Sequence, residues 1–98
     1  MTAEKLFRAF VKYCYEPANR VKTKIVRRRK APVWCDDKKN NRYAVYFKRT
    51  DMPRDKALLT GHGKTYEAAF SMLLEFYMQS TGVSKQELEL FASCAGDV

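Results

Sequence analysis

The stretch from Ala57 to Gln79, ALLTGHGKTYEAAFSMLLEFYMQ, constrains the fold more than any other part of this sequence. It reads as a short strand, a tight turn and a strongly patterned helix. Tyr66, Ala69, Phe70, Leu73, Leu74, Tyr77 and Met78 recur every three or four residues, which gathers them on one broad helical face. Glu67, Ser71, Glu75 and Gln79 fall on the other side. Thr65 is placed to cap the helix, and Gly61 and Gly63 supply a flexible turn before it. A helix with so wide an apolar face needs a surface to cover, and the residues upstream supply one.

Those residues read as strands. In Arg20–Arg28, RVKTKIVRR, Val21, Thr23 and Ile25 point one way and Arg20, Lys22 and Lys24 the other, giving a half-buried strand with a cationic outer face. Arg42–Arg49, RYAVYFKR, is the clearest strand: Tyr43, Val45 and Phe47 oppose Arg42, Ala44, Tyr46 and Lys48. Ala57–Thr60 pairs back on it across a polar loop, TDMPRDK. Between the first two strands, Val33-Trp34-Cys35 begins another short strand or anchors a loop, and DDKKNN is a turn by composition.

Helices flank this sheet. Thr2–Tyr15 carries an apolar stripe of Leu6, Phe7, Phe10, Val11 and Cys14, and Pro17 is expected to stop it. Its stripe is expected to pack on the chain's own sheet, because a domain of 98 residues needs every apolar face for its core. Gly82 ends the main helix, and Ser84 opens a last one through a capping box with Glu87 and a staple of Val83 on Leu88. Leu88, Phe91, Ala92 and Ala95 form its narrow stripe, before a frayed polar end at Gly96-Asp97-Val98. The expectation is one α+β domain: a small three-stranded antiparallel sheet covered by a main helix, with an N-terminal helix and a short C-terminal helix. The spans are 1–16, a basic sheet over 20–60, 65–79 and 84–95.

Charge divides the chain unevenly. Residues 1–64 hold 18 Lys and Arg against 6 acids, whereas residues 65–98 hold 1 basic residue against 5 acids. A basic body with a mildly acidic helical end suits an anionic macromolecule and has no use for a neutral metabolite. Arg27-Arg28-Arg29-Lys30 is the densest run, followed by Trp34, and cations recur at Lys38, Lys39, Arg42, Lys48 and Arg49. Such a run serves as a solvated loop, a nucleic-acid contact or a docking site for an acidic protein groove. Its concentration in one part of the chain favours binding. Arg27, Arg28, Arg29, Lys30, Trp34, Lys38, Lys39, Arg42, Lys48 and Arg49 are therefore the candidate partner-binding residues.

Enzymatic readings find little support. Gly63-Lys64-Thr65 ends like a phosphate-binding loop, but Leu58 stands where that motif needs glycine. A single phosphate held at Gly63 and Lys64 remains beside the plainer reading of a strand-to-helix turn. His62 is the only histidine, is expected to be exposed and mobile between glycines, and lacks visible catalytic or metal partners. Cys14, Cys35 and Cys94 are widely spaced and odd in number, so they are expected as small buried hydrophobes in a reducing compartment. No cofactor, metal, small-molecule substrate or membrane span is expected. The expected setting is the cytoplasm.

Two resemblances add to this reading. The segment Ala31–Gln79, with RYAVYFKR, ALLT and GHGKTYEAAFSMLLEF, resembles the sheet-then-helix half of a double-stranded RNA-binding domain. That family sets a G-x-G before its last helix, as Gly61 and Gly63 do here, and an alanine-rich helix start like Glu67-Ala68-Ala69. It grips phosphates with a lysine cluster there, of which only Lys64 is present. In length, charge and overall run, the whole chain is similar to the small anti-RecBCD recombination accessory proteins of P22-type lambdoid phages. That resemblance implies a non-enzymatic protein that binds the host RecBCD helicase–nuclease, so that linear phage DNA survives and recombines. Nucleic-acid binding, to double-stranded RNA or DNA through the same basic face, is the alternative.

Overall fold

The computed structural model describes residues 1–94. It opens with α1 (Ala3–Phe10), which runs through a π-helical turn (Val11–Tyr15) into α2 (Glu16–Asn19). Strands β1 (Thr23–Arg28), β2 (Tyr43–Arg49) and β3 (Leu59–Gly63) follow, then α3 (Tyr66–Thr81) and α4 (Lys85–Cys94). The strands form one antiparallel sheet in the order β1-β2-β3, so the fold is α+β. Ile25 stands opposite Phe47, and Val45 opposite Gly61.

The alternation of β2 decides which face is covered. Val45 and Phe47 are fully buried against the helices, joined by the half-buried Ile25 of β1. α1 and α3 lie on that face, with Phe7, Phe10, Phe70 and Leu73 directed into it. Phe7 is central: its ring meets Phe47 edge-on at 5.2 Å, with Tyr77 at 6.1 Å and Phe70 at 6.2 Å. Each such side chain contributes about 1.5–3 kcal/mol through burial, and edge-on aromatic pairs add to it. The N-terminal stripe therefore packs into the chain's own core, largely against α3 and α4, and meets the sheet through Phe7 on Phe47.

Gly61 and Gly63 belong to β3, not to a turn. The third strand runs over Leu59–Gly63 rather than 57–60, and only Lys64 and Thr65 separate it from α3. The reason is close packing: a Cβ at Gly61 would run into the Ala69 carbonyl oxygen, and one at Gly63 would lie 2.6 Å from Ala68 Cβ. These glycines let a strand and a helix touch backbone to backbone. Thr65 caps α3 as expected, its hydroxyl accepting from Ala68 N–H at 3.0 Å.

Pro17 does not stop the first helix. Glu16 N–H bonds Val11 carbonyl, five residues back, so the hydrogen-bond register has already widened when the proline arrives. The helix ends instead at Arg20, held in the left-handed region at φ 53°. Glu16 then ties the turn to β1, its Oε2 accepting from Thr23 N–H at 2.8 Å and Thr23 hydroxyl at 2.9 Å. At the other end, Thr2 caps α1 and Ala3 N–H donates to Glu67 Oε2 at 2.7 Å, joining the starts of α1 and α3.

The last helix follows its signals. Gly82 is left-handed at φ 78°, and Ser84 and Glu87 make the capping box, with Glu87 N–H donating to Ser84 Oγ at 3.1 Å. Leu88 and Ala92 are buried against α1, and Phe91 stacks on Tyr13 at 5.6 Å. Ala95 and the polar end lie outside the described residues. Of the three cysteines only Cys35 is buried; Cys14 is half-buried and Cys94 exposed, so the buried-hydrophobe expectation holds for one. Among the described residues no helix is long and apolar enough to cross a membrane.

Candidate docking groove

The second face of the sheet carries no helix among the described residues. The alternation that buries Ile25, Val45 and Phe47 turns Lys24, Val26 and Arg28 of β1 outward, with Tyr46 and Lys48 of β2 and Thr60 of β3. Two loops rise beside these residues. The β1–β2 connection contributes Lys30, Val33 and Trp34, and the β2–β3 connection contributes Met52, Arg54, Asp55 and Lys56. Together they enclose an open groove of about 770 Å³.

Both loops are held by specific contacts. In the first, Ala31, Pro32 and Cys35 are buried and Cys35 N–H donates to Pro32 carbonyl at 3.0 Å, so Val33–Cys35 is a turn and not a strand. Asp37 organises the DDKKNN turn, accepting from Asn40 Nδ2 at 2.8 Å through its carboxylate. Its carbonyl accepts from Asn41 Nδ2 at 2.7 Å. Asn41 Oδ1 in turn meets His62 Nδ1 at 2.6 Å, and the Trp34 ring sits 5.2 Å from the His62 ring. His62 is thus half-buried and engaged, the reverse of the mobile side chain expected between glycines. Trp34 remains 64% exposed at the groove wall.

In the second loop the anchor is Lys48. Only 5% of this residue is exposed, and its ammonium donates to the carbonyls of Pro53 at 3.1 Å and Arg54 at 2.9 Å. The sequence placed Lys48 among exposed contacts. It is instead a buried cation that draws the loop over the open face and lifts Arg54 and Lys56 to the rim. A buried charge persists only where hydrogen bonds offset its lost hydration, and these two carbonyls do so.

The Arg27–Lys30 run does not act as a unit, because a strand sends neighbours to opposite faces. Arg28 and Lys30 line the groove. Arg27 turns to the helix side, 3.8 Å from Glu4 and over the Tyr66 ring at 5.3 Å. Arg49, in phase with Phe47, also leaves the groove and grips Asp51 through Nη2 at 2.7 Å and Nε at 3.0 Å. That hydrogen-bonded pair raises the Arg49 pKa and holds the Asp51 carboxyl below its ordinary value. Arg29, Lys38, Lys39 and Arg42 are exposed outside the groove lining. Of the sequence candidates, Arg28, Lys30, Trp34 and Lys48 come together.

Gly63 and Lys64 are not built as a phosphate cradle. Gly63 is buried against Ala68, Lys64 is exposed, and the first turn of α3 carries the carboxylate of Glu67. That carboxylate would repel an incoming phosphate from the positive helix end.

Sequence reasoning missed Lys24, Arg54 and Lys56 as partners of Arg28. The signal for Lys24 was present, since Lys24, Val26 and Arg28 alternate on one side of β1. Arg54 and Lys56 sit in a loop whose path depends on Lys48, five and six residues from the carbonyls it binds. No pattern in TDMPRDK announces that fold-back.

On the helix side Arg8 and Arg27 both reach Glu4, at 3.0 and 3.8 Å. Among the described residues, none of Lys24, Arg28, Lys30, Lys48, Arg54 and Lys56 forms an ion pair, although Asp55 stands at the rim. Comparison with protein families, curated proteins and solved structures returned no match for this chain.

Proposed function

We propose that this chain is a non-enzymatic docking protein whose open sheet face receives an anionic surface of a protein partner. The observation that carries this reading is the convergence of six cations, Lys24, Arg28, Lys30, Lys48, Arg54 and Lys56, on one groove. None of them is ion-paired among the described residues, whereas Arg8, Arg27 and Arg49 outside it each reach a carboxylate of the chain. Uncompensated cations around one concavity raise the local concentration of an anionic partner. Trp34, Tyr46 and Met52 stand between them, and aromatic residues, Met and Arg are the types enriched where proteins bind proteins.

The resemblance to anti-RecBCD accessory proteins supplies the partner. In this proposal the groove attaches to an acidic patch of the host RecBCD helicase–nuclease in the host cytoplasm. The attachment changes the enzyme so that linear phage DNA persists and recombines. Direct nucleic-acid binding through the same face is the second reading, favoured by the sheet-then-helix likeness to double-stranded RNA-binding domains and opposed by Glu67 at the α3 start.

The test is capture from a nuclease-treated bacterial lysate with the immobilised protein, followed by identification of what is retained. RecBCD retained in fixed stoichiometry supports docking. Retention of nucleic acid alone before treatment, and of nothing after it, reverses the two readings. Duplex affinity that falls with a log–log salt slope near 0.9 per phosphate neutralised would make the same correction.

A further inference from the structure

We infer that the occupant of the groove is a single extended peptide segment that presents acidic and apolar side chains on the same side. This rests on the docking reading above and names the form its ligand takes. A concavity of about 770 Å³ has the capacity of a cleft for a peptide or small ligand. Cations and apolar residues share the lining: Lys24 and Arg28 stand either side of Val26 on one face of β1, and Arg54 and Lys56 accompany Met52 in the β2–β3 loop. Every second side chain of an extended segment shares a side, so a segment with carboxylate, apolar and carboxylate at successive same-side positions matches Lys24, Val26 and Arg28 along β1.

The same lining separates a peptide from a single nucleic-acid strand. Single strands are held by bases stacked on a succession of aromatic faces. Here the apolar lining is mainly aliphatic, with Ala31, Val33 and Ala57 adding to Val26 and Met52.

Trp34 is the only tryptophan, so its fluorescence reports on the groove alone. The intact protein is titrated at low ionic strength with three probes of equal charge. One is an octapeptide repeating Glu-Glu-Leu-Leu, so that each side carries both types, one repeats Glu-Glu-Gly-Gly, and one is a thymidine pentanucleotide. The glutamate–leucine peptide is expected to shift Trp34 emission and to bind about tenfold more tightly than either other probe. The exposed-site substitutions Arg28→Ala and Lys56→Ala are each expected to weaken it severalfold with unchanged circular dichroism. Equal affinity for the two peptides would reduce the groove to an unselective cationic patch. Tighter binding of the pentanucleotide would assign it to single-stranded nucleic acid, and no saturable shift with the glutamate–leucine peptide would remove the inference. Capture of RecBCD is scored separately with the same two variants. If they lose capture while the peptide fails, docking stands and the extended-segment inference falls. If the peptide binds and capture is absent from the unsubstituted protein, the choice of partner falls and the segment stands.

Discussion

The two faces of the sheet are made from the same three strands and solve opposite problems. On one, Ile25, Val45 and Phe47 meet Phe7, Phe70 and Leu73, and Arg27 and Arg49 are paired with Glu4 and Asp51. On the other, Val26, Tyr46 and Thr60 lie among cations that the described residues do not pair, under loops tied down by Lys48 and His62. The difference teaches where to look for stability and where for recognition. Apolar area removed from water holds the domain together, whereas charge left uncompensated is available to a partner.

That separation can be broken experimentally. The largest effects should come from the covered face. Phe7→Ala should cost about 3–5 kcal/mol in urea unfolding, through lost burial and the cavity left behind. Gly61→Ala should be severe for the opposite reason, because its Cβ has no space against Ala69, and overpacking of this kind costs about 1–3 kcal/mol or more. Neither change touches a groove side chain, so any partner binding by the fraction still folded should keep its affinity.

Lys48 lies between the two roles. Lys48→Met keeps the apolar stem and leaves the Pro53 and Arg54 carbonyls without their donor, at a cost of about 1–3 kcal/mol. It should also weaken partner binding more than the loss of one charge explains, because Arg54 and Lys56 leave the rim. Loop chemical shifts in NMR, read beside affinity, check this. Binding reduced only as much as by Lys24→Met would show that Lys48 contributes charge and nothing more.

Charge reversal at Lys24, Arg28 and Lys56 should abolish partner capture and move the melting temperature by only a few degrees, since surface substitutions seldom exceed about 0.5 kcal/mol each. The matched reversal of Lys5, Arg8 and Lys12 on the helix side should leave capture intact. Equal losses from both sets would mean that net charge, and not one face, governs binding.

A smaller effect separates the faces by pH. Burial, with Tyr15 nearby, pushes the Tyr77 phenol from an ordinary 10.0 up to about 12. A group whose pKa is raised on folding contributes fully below its unfolded value and loses that contribution as pH rises through the folded one. Stability should therefore decline between pH 10 and about 12, and Tyr77→Phe should flatten that limb in pH-dependent denaturation. The smallest expected change is a gain: Arg20→Gly relieves a left-handed residue at φ 53° and should add about 0.5–1 kcal/mol.

Much of the covered face was legible in the chain because it rests on periodicity. The α3 stripe, the alternation in RYAVYFKR, the Thr65 cap and the Ser84–Glu87 box are local patterns with local causes. The errors came where a distant contact overrode them. Gly61 and Gly63 look like a turn until Ala68 and Ala69 are packed against them, and Pro17 looks like a stop until the π-helical turn shifts the register before it. The groove was half legible: the excess of cations was plain, but which of them converge depended on strand parity and on a loop drawn back by Lys48. Reading Arg27–Lys30 as one patch neglected the alternation applied correctly a few residues earlier.

β1 lies at the edge of the sheet, and three of its six residues, Lys24, Arg27 and Arg28, are cationic. An exposed edge invites another strand to add to it, and basic side chains are a recognised deterrent. Two copies brought edge to edge would set lysine and arginine against their own kind, at a cost that salt diminishes. The positive character that the proposed acidic segment would meet thus also guards the chain against growing onto itself, and concentrated salt would weaken both effects together.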